Sequence, residues 1–574
     1  MIKSYYHTLA HVVSALLSLG IMLILIVQTV QRNWSEQLLY LSMWQIGVGI
    51  LCLSYSLFHR QKCQLSVLDI LMFGWWLYVL VRSYLSGEVP CGKEVVTDTS
   101  LFVLFVMMRS VLALPVGFKG CLGALLLLVV AYEIILGGTQ LYQGHSLHAL
   151  FPVTGNFFNP GPYSGLVAMG MVMALYYLYL ADDERWEKQN RFWQYLCLFV
   201  LIGGSIMLSL TCSRSAIVVV ALMVGWVCRN TIKRYKWYLF VVVFLTLLLL
   251  FWVKKDSAVG RIVIWGQSLL LCIKGGLFGT GLGSFKGEYA GQLQELFSNA
   301  AAISLYARYV DVVDYAFCDI LQIIVEQGWI GGFFCFSIVL LTLKNLYKQN
   351  QMLFFALMAL VVFSLFSYPF QLLPFQIVAI CCFAYGAEDS KSWTMPFYAK
   401  KISLAALLVI ACCCWRVSRQ HVSANQEYSF MAGVVHQTFI KDYNRLLPLC
   451  ADNPEFLFDY AKLLQANGAW MDSNAILRRG TKVSNDPMFW VVMGNNYREL
   501  GLYTEASASY DTAYLQMPNR LYPLYQKMLL YERIGDKTAM RKMARSVVKF
   551  EPKIHSPAVL EMKSKARKFL KCND

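Results

Sequence analysis

The chain has 574 residues, 57% of them hydrophobic, with a formal net charge of +16 and a mean hydropathy of +0.50. A soluble globular chain is about 45–50% apolar, and the excess here is blocked into runs of roughly 17–25 residues, the length that crosses a bilayer core. Much of the positive charge sits in short connections between those runs and in the C-terminal part, so it reads as membrane-surface orientation rather than nucleic-acid binding. The 17 cysteines form no disulfide pattern. Many lie inside apolar runs, as Cys381, Cys382 and Cys412-Cys413-Cys414 do, where they act as small hydrophobes.

In chain order, thirteen candidate spans lie at about 12–30, 38–58, 65–85, 99–116, 120–136, 163–181, 195–211, 215–228, 237–253, 320–343, 352–366, 370–386 and 402–415. The first lacks a short apolar core with a small-residue cleavage site and reads as a retained span. With Lys3 inside, the connections expected on the cytoplasmic face carry Arg60, Lys62, Lys119, Arg185, Lys188, Arg191, Arg229, Lys233, Arg234, Lys236, Lys344, Lys348, Lys391, Lys400 and Lys401. The short connections on the other face carry Arg32, Lys93 and Arg214. The alternation places the C-terminus outside, although Arg416 and Arg419 argue mildly against that end.

The stretch from about Lys254 to Gln322 is the longest gap between apolar segments in the first 415 residues, and it is expected to be a large outer loop. It holds Gly260-Arg261-Ile262-Val263-Ile264-Trp265, then the turn-rich Gly279-Thr280-Gly281-Leu282-Gly283-Ser284-Phe285, and ends in an acidic run leading into a new apolar helix. A loop this long is the place expected for chemistry.

From about Glu427 the composition turns polar and helical, with an internal repeat of roughly 34 residues. The middle copy carries Trp490, Gly494, Tyr497, Gly501, Tyr503, Ala506, Tyr510, Ala513 and Pro518. Its small residues let two helices pack closely and its aromatics fill the groove between helix pairs. This pattern resembles the tetratricopeptide repeat over about Pro454 to Pro552. Some three repeats make a small solenoid whose concave face suits a protein partner, the alternative being a plain spacer.

Charged groups in or beside spans are costly, so each needs a reason. Arg214 sits in a tight hairpin between two spans, Arg261 near the start of the long loop and Arg308 late in it. A guanidinium binds phosphate oxygens bidentately, so several converging at the membrane surface would suit a lipid diphosphate head group. The alternative is that each snorkels to lipid phosphate or caps a helix. Asp311, Asp314 and Asp319 lead into a span followed by Glu326, and Asp319 and Glu326 are two turns apart on one helix side. Asp314 and Asp319 are candidates for a base or orienting carboxylate toward an acceptor hydroxyl, against N-capping as the plainer role. His145 and His148 read as loop residues. The turn Thr154-Gly155-Asn156-Phe157-Phe158-Asn159-Pro160-Gly161-Pro162 is non-helical backbone at a membrane edge and must find partners.

Together these pieces resemble a known family. Gly155-x-Phe157-x-Asn159-Pro160 resembles the turn of O-antigen ligases and related O-oligosaccharyltransferases, and Ser213-Arg214-Ser215 resembles their Ser-Arg-Ser hairpin. Arg261-x-x-x-Trp265, Gly279-x-Gly281-x-Gly283-x-Phe285 and Leu321-Gln322-x-x-x-Glu326-x-Gly328-x-x-Gly331 follow in the family's order, over about residues 150–385. The repeats resemble versions of this family that carry tetratricopeptide repeats. One departure is that Phe317 and Cys318 stand where many members place His-Asn.

The resemblance implies an inner-membrane glycosyltransferase whose donor is an undecaprenyl-diphosphate-linked glycan. The acceptor is lipid A core, a protein Ser or Thr, or another glycan if the chain is a polymerase. Arg214 and Arg261, and more weakly Arg308, would hold the diphosphate. Gln322 and Glu326 would bind substrate, and Asp319 or Asp314 would orient or deprotonate the acceptor. No metal or cofactor is expected. A glycolipid transporter or flippase, or an assembly scaffold, is the reading from another class. The expected architecture is an all-α polytopic bundle of about 12–13 spans. Residues 1–150 form N-terminal helices, 151–416 a ligase-like core with a periplasmic loop at 254–319, and 427–574 a periplasmic α-solenoid.

Overall fold

The computed structural model describes residues 17, 19–30, 33–58, 63–86, 92–113, 118–146, 151–179, 191–227, 252, 255–388, 392–553 and 555–571. The first helices are α1 (Leu19–Thr29), α2 (Trp34–Phe58), α3 (Val67–Ser86), α4 (Gly92–Leu112), α5 (Phe118–Gln143), α6 (Pro160–Tyr179), α7 (Arg191–Thr211) and α8 (Arg214–Val227). Then come α9 (Lys255–Gly275), α10 (Phe285–Phe297), α11 (Ala300–Tyr306), α12 (Asp319–Gln349), α13 (Gln351–Ser364), α14 (Leu373–Gly386) and α15 (Phe397–Met431).

Nine helices among the described residues are long and apolar enough to cross a membrane: α2 to α7, α9, α12 and α15. The fold is that of an all-α, multi-pass membrane protein. Where they are described, the expected spans coincide with apolar helices; the start of the one at 12–30 and nearly all of the one near 237–253 lie outside the described residues. α6 is apolar on every side and accordingly central, packed against α5, α7, α8 and α13.

Two departures have physical causes. The stretch expected as a loop at 254–319 is largely helical, and α9 carries a window apolar enough to span. Lys255, Asp256 and Arg261 crowd its start, while the Leu269-Leu270-Leu271-Cys272-Ile273 run at its end is apolar. The stretch expected at 402–415 is the middle of the 35-residue α15, about 52 Å long at the usual helical rise. That exceeds a bilayer core of about 30 Å, so the polar C-terminal turns run on past the apolar segment. α15 packs along α2, with Asn425 Nδ2 donating to Ser35 Oγ at 3.3 Å and His421 4.8 Å from Trp34.

A two-stranded antiparallel ribbon, β1 (Cys63–Ser66) with β2 (Ser392–Met395), joins the starts of α3 and α15 in the register Cys63 to Met395 and Ser66 to Ser392. Asp69 accepts from the Ser66 backbone N–H at 2.7 Å and pairs with Arg109 at 3.1 Å, pinning the ribbon to α4.

Beyond α15 the helices α16 (Ile440–Cys450), α17 (Pro454–Ala466), α18 (Trp470–Val483), α19 (Met488–Glu499), α20 (Tyr503–Gln516), α21 (Tyr522–Ile534), α22 (Lys537–Lys549) and α23 (Pro557–Lys571) pack in series, each on the next. Ala506 and Ala513 are fully buried at the α19–α20–α21 contact, as small residues in a close helix pair should be. This series docks back on α10 and on the segment before α12. Asn519 Nδ2 donates to the carbonyls of Ala307 at 3.0 Å and Val310 at 2.6 Å, and Asn485 Nδ2 to that of Val313 at 2.6 Å. Arg520 and Lys553 each reach Asp311 at 3.4 Å.

Candidate functional site

The backbone framework of the site is a break in α12. Gly328 adopts φ 70° and ψ −175° inside an otherwise helical run, which frees carbonyls before it and N–H groups after it. The glycine-rich stretch after α9 takes up four of these groups. Thr280 N–H donates to Val325 O at 2.8 Å and Gly281 N–H to Glu326 O at 2.9 Å, while Trp329 N–H donates to Gly276 O at 3.3 Å and Ile330 N–H to Leu277 O at 3.2 Å. The two chains run so close that a Cβ on Gly279 would lie 2.4 Å from Gly328 N, and one on Gly328 would lie 2.1 Å from Leu277 O. The Gly279-x-Gly281-x-Gly283 motif and Gly328 are thus one structural unit. From α3, Tyr78 Oη donates to Gln327 O at 2.5 Å and Arg82 Nη2 to Gly279 O at 3.3 Å.

The turn before α6 finds its partners on α5. Gln140 Oε1 accepts from Thr154 N–H at 3.0 Å and Gly155 N–H at 2.9 Å, and Gln140 Nε2 donates to Gly155 O at 2.6 Å. The buried Glu133 accepts from Asn156 N–H at 3.1 Å, Asn156 Nδ2 at 2.9 Å and Thr29 Oγ1 at 2.8 Å. Phe157, Phe158 and Asn159 are thereby presented to a chamber.

That chamber has a volume of about 740 Å³ between α1, α2, α3, α4, α12, α14 and the turn. Its wall mixes aromatic faces, including Trp34, Trp75, Tyr315 and Tyr368, with amides and with the carboxylates of Glu94, Asp98, Asp314 and Glu326. Aromatic faces with a few convergent polar groups are the usual composition of a small-molecule site. Among the described residues no group of three His, Cys, Asp or Glu side chains is placed to hold a metal ion.

Arg214 and Arg261 stand behind the chamber wall, linked through Ser257. Arg214 Nη2 donates to Ser257 Oγ at 3.0 Å, and Ser257 lies one turn before Arg261 on α9. The Arg261 guanidinium therefore lies within the field of Arg214. Arg261 Nη1 donates to Phe366 O at 2.9 Å and its guanidinium lies over the Phe317 ring, 5.0 Å from the centroid. Trp265, one turn further, donates from Nε1 to Phe317 O at 3.3 Å. The Arg261-x-x-x-Trp265 spacing therefore grips one residue twice. Phe317 is held at φ 52°, a left-handed conformation uncommon for a bulky side chain. Its ring meets Tyr368 edge-on at 5.4 Å, and Tyr368 stacks on Tyr315 at 4.4 Å. Tyr368 and Tyr315 both face the chamber, so this aromatic layer is the partition between it and the arginine pair. Burial, then the charges of Asp314 and Asp319, push the Tyr315 hydroxyl up to about 12, and burial pushes that of Tyr368 up as well. Both remain donors at neutral pH.

The other expected site residues are placed as follows. Arg308 is exposed and 3.9 Å from Asp256, at the head of α9 but facing solvent. Asp319 is 1% exposed, and its two oxygens accept from Phe370 N–H at 3.0 Å and Gln371 Nε2 at 3.4 Å, pinning the Pro369–Gln371 turn to the start of α12. Asp314 is 60% exposed and pairs with Lys286 at 2.6 Å. It lines both the chamber and a smaller cleft beneath α17–α19. Gln322 bridges from Ala316 N–H at 3.1 Å to Glu326 at 3.2 Å, and Glu326 also accepts from Gly283 N–H at 3.2 Å while lining the chamber. His145 is exposed in its loop, and His148 lies outside the described residues.

Sequence reasoning missed Glu94, Asp98, Tyr315 and Tyr368. The carboxylates sit in the first turns of a span, where Gly92-Lys93-Glu94 reads as connection. Their spacing of four within an apolar-bound helix was the available signal. The fold and site define a multi-pass helical membrane protein with a polar, aromatic-walled chamber. The chain matches no protein-family model and no curated protein.

Proposed function

We propose that this chain is a membrane glycosyltransferase of the O-antigen ligase type, which transfers a glycan from undecaprenyl diphosphate to an acceptor hydroxyl on the periplasmic face of a bacterial inner membrane. The observation that carries this reading is that Arg214, at the start of α8, reaches Ser257, one turn before Arg261 on α9. Each guanidinium offers a planar fork of donors, and a diphosphate presents bidentate oxygens to both. The five motifs that resemble the family support the same reading, since three of them form the α9, loop and α12 unit.

The chemistry then divides across the aromatic layer. The arginine pair stabilises the departing lipid diphosphate, where charge grows in the transition state. The sugar passes Tyr368 into the chamber, where hydroxyl-binding groups meet the acceptor. Asp319 is assigned the positioning of the Pro369–Gln371 turn, and Asp314, at the chamber's outer edge, the orientation of the incoming acceptor. The C-terminal helices are a tetratricopeptide-like solenoid on the same side of the membrane, offering a surface to a protein partner.

A transporter reading is favoured by one feature, the break in α12, because discontinuous helices line many transport sites. Here the freed backbone groups are already taken by residues 276–281 and by Tyr78. Purified chain is incubated with polyprenyl-diphosphate-linked glycan and, as acceptors, lipid A core, a Ser/Thr peptide or the donor itself. Release of polyprenyl diphosphate with a glycosylated product is expected, and the acceptor that is used separates ligase, protein transferase and polymerase. Movement of donor across a vesicle with no covalent product in any arm overturns the proposal in favour of transport.

A further inference from the structure

We propose that Glu94 takes the proton of the acceptor hydroxyl. This deepens the glycosyltransferase reading above and rests on it. The argument is one of commitment. Three other carboxylates near the reaction path are committed: Glu326 by Gln322 on one oxygen and the Gly283 N–H on the other, Asp319 by Phe370 and Gln371, and Asp314 through Oδ1 by Lys286. Glu94 also lines the chamber, and its Oε2 is buried with no hydrogen-bond partner. A buried carboxylate oxygen left unpaired is costly unless a ligand supplies the donor.

Two further atoms make the same demand. Gln28 and Gln327, 1% and 7% exposed, line the same chamber, and each has an Oε1 without a partner. The Gln28 amide is oriented by its Nε2, which donates to Gln37 O at 2.8 Å, so its oxygen is an acceptor and not a misplaced donor. Three unpaired acceptors in one aromatic-walled space call for a ligand rich in hydroxyl donors and with flat apolar faces. That is the chemistry of a sugar ring.

In the step, an acceptor hydroxyl donates to Glu94 Oε2. Its oxygen forms a bond to the anomeric carbon as the bond from that carbon to the diphosphate oxygen breaks. The proton passes to Glu94, and the electron pair leaves with the diphosphate, held by Arg214 and Arg261. No oxidant, reductant or further co-reactant is required.

The test compares wild type, Glu94→Gln and Glu94→Asp as full-length purified chains, with polyprenyl-diphosphate-linked glycan as donor and each hydroxyl acceptor named above. Azide, a nucleophile that carries no proton to remove, is the additional probe. Glu94→Gln is expected to lose roughly 10²–10⁴-fold in kcat, the usual consequence of removing a general base, with donor affinity within about twofold. Glu94→Asp, which keeps the charge on a shorter arm, falls between. Azide is expected to restore release of polyprenyl diphosphate by Glu94→Gln to near the wild-type rate with azide, giving a glycosyl azide. Full turnover of Glu94→Gln with hydroxyl acceptors overturns the proposal. So does an equal loss with azide, because a merely structural role for Glu94 would impair both nucleophiles alike. A wild-type chain that neither binds the donor nor releases diphosphate overturns the parent reading, and Glu94 with it.

Discussion

Arg261 stands over the ring of Phe317 at 5.0 Å, and Trp265 on the next turn holds the carbonyl of the same residue. Phe317 is thus both a platform for a cation and a strained backbone position kept in place by its neighbours. Phe317→Leu is expected to keep the fold while weakening donor binding by about 0.5–2 kcal/mol, the range of a cation–π contact. Donor titration of the two proteins measures it. Unchanged affinity would mean that the ring does not position the guanidinium.

Arg214→Ala and Arg261→Ala are each expected to lower kcat by roughly 10²-fold or more, the scale found when a donor to developing negative charge is removed. Lysine at either position should recover only part of this, since a point charge replaces a planar fork. Turnover by both alanine variants at the wild-type rate would remove the diphosphate clamp from the mechanism.

At Gly279 and Gly328 the seam between residues 276–281 and α12 leaves no room for a methyl group. Gly279→Ala and Gly328→Ala are expected to destabilise by at least about 3 kcal/mol, from backbone overlap added to a left-handed conformation. Gly276→Ala has the same sign of φ but open space around it, so it should cost only about 1–2 kcal/mol. Thermal unfolding in detergent orders the three variants, and equal costs would show that conformation alone, and not the close approach, fixes these glycines.

The two aspartates should separate by readout. Asp319→Asn disturbs the acceptor of the half-buried Phe370 N–H and is expected to cost about 1–3 kcal/mol in stability. Asp314→Asn breaks a largely exposed ion pair, worth about 0–1 kcal/mol, and should act on the acceptor KM. A stability loss of the Asp319 size at Asp314, or a pure kcat loss without destabilisation at Asp319, would reverse the two assignments.

Orientation is tested with a membrane-impermeant thiol reagent on intact cells, using the unsubstituted chain as baseline. Ser298→Cys on the loop after α10 and Ala508→Cys on α20 are both exposed positions and should be labelled, whereas Glu187→Cys, outside the described residues, should not. Labelling of the last alone would invert the membrane topology.

The apolar helices were legible in sequence because burial in lipid demands long uninterrupted runs, and α2 to α7 left just such runs. What escaped was organisation that depends on pairing between distant stretches. α9 was masked by the charges at its head. Asp319 read as a candidate base because nothing local reveals that its partners are Phe370 and Gln371, some fifty residues on. Arg214 and Arg261 were found singly from their type and place, but only the fold brings Ser257 between them. Glu94 was hidden for the opposite reason, since a carboxylate at a helix start has an ordinary local explanation in the helix dipole.

Asn485, Asn519, Arg520 and Lys553 of the C-terminal helices all hold residues 307–313, the strand of chain that runs directly into Tyr315, Phe317 and Asp319. Thermodynamic reciprocity follows from that attachment. Any partner whose binding tightened or loosened this hold by a given free energy would alter the affinity of the chamber by some factor, and a filled chamber would alter the partner's affinity by the same factor. The distal helices are in this sense a place from which occupancy of the membrane-embedded site can be read at a distance.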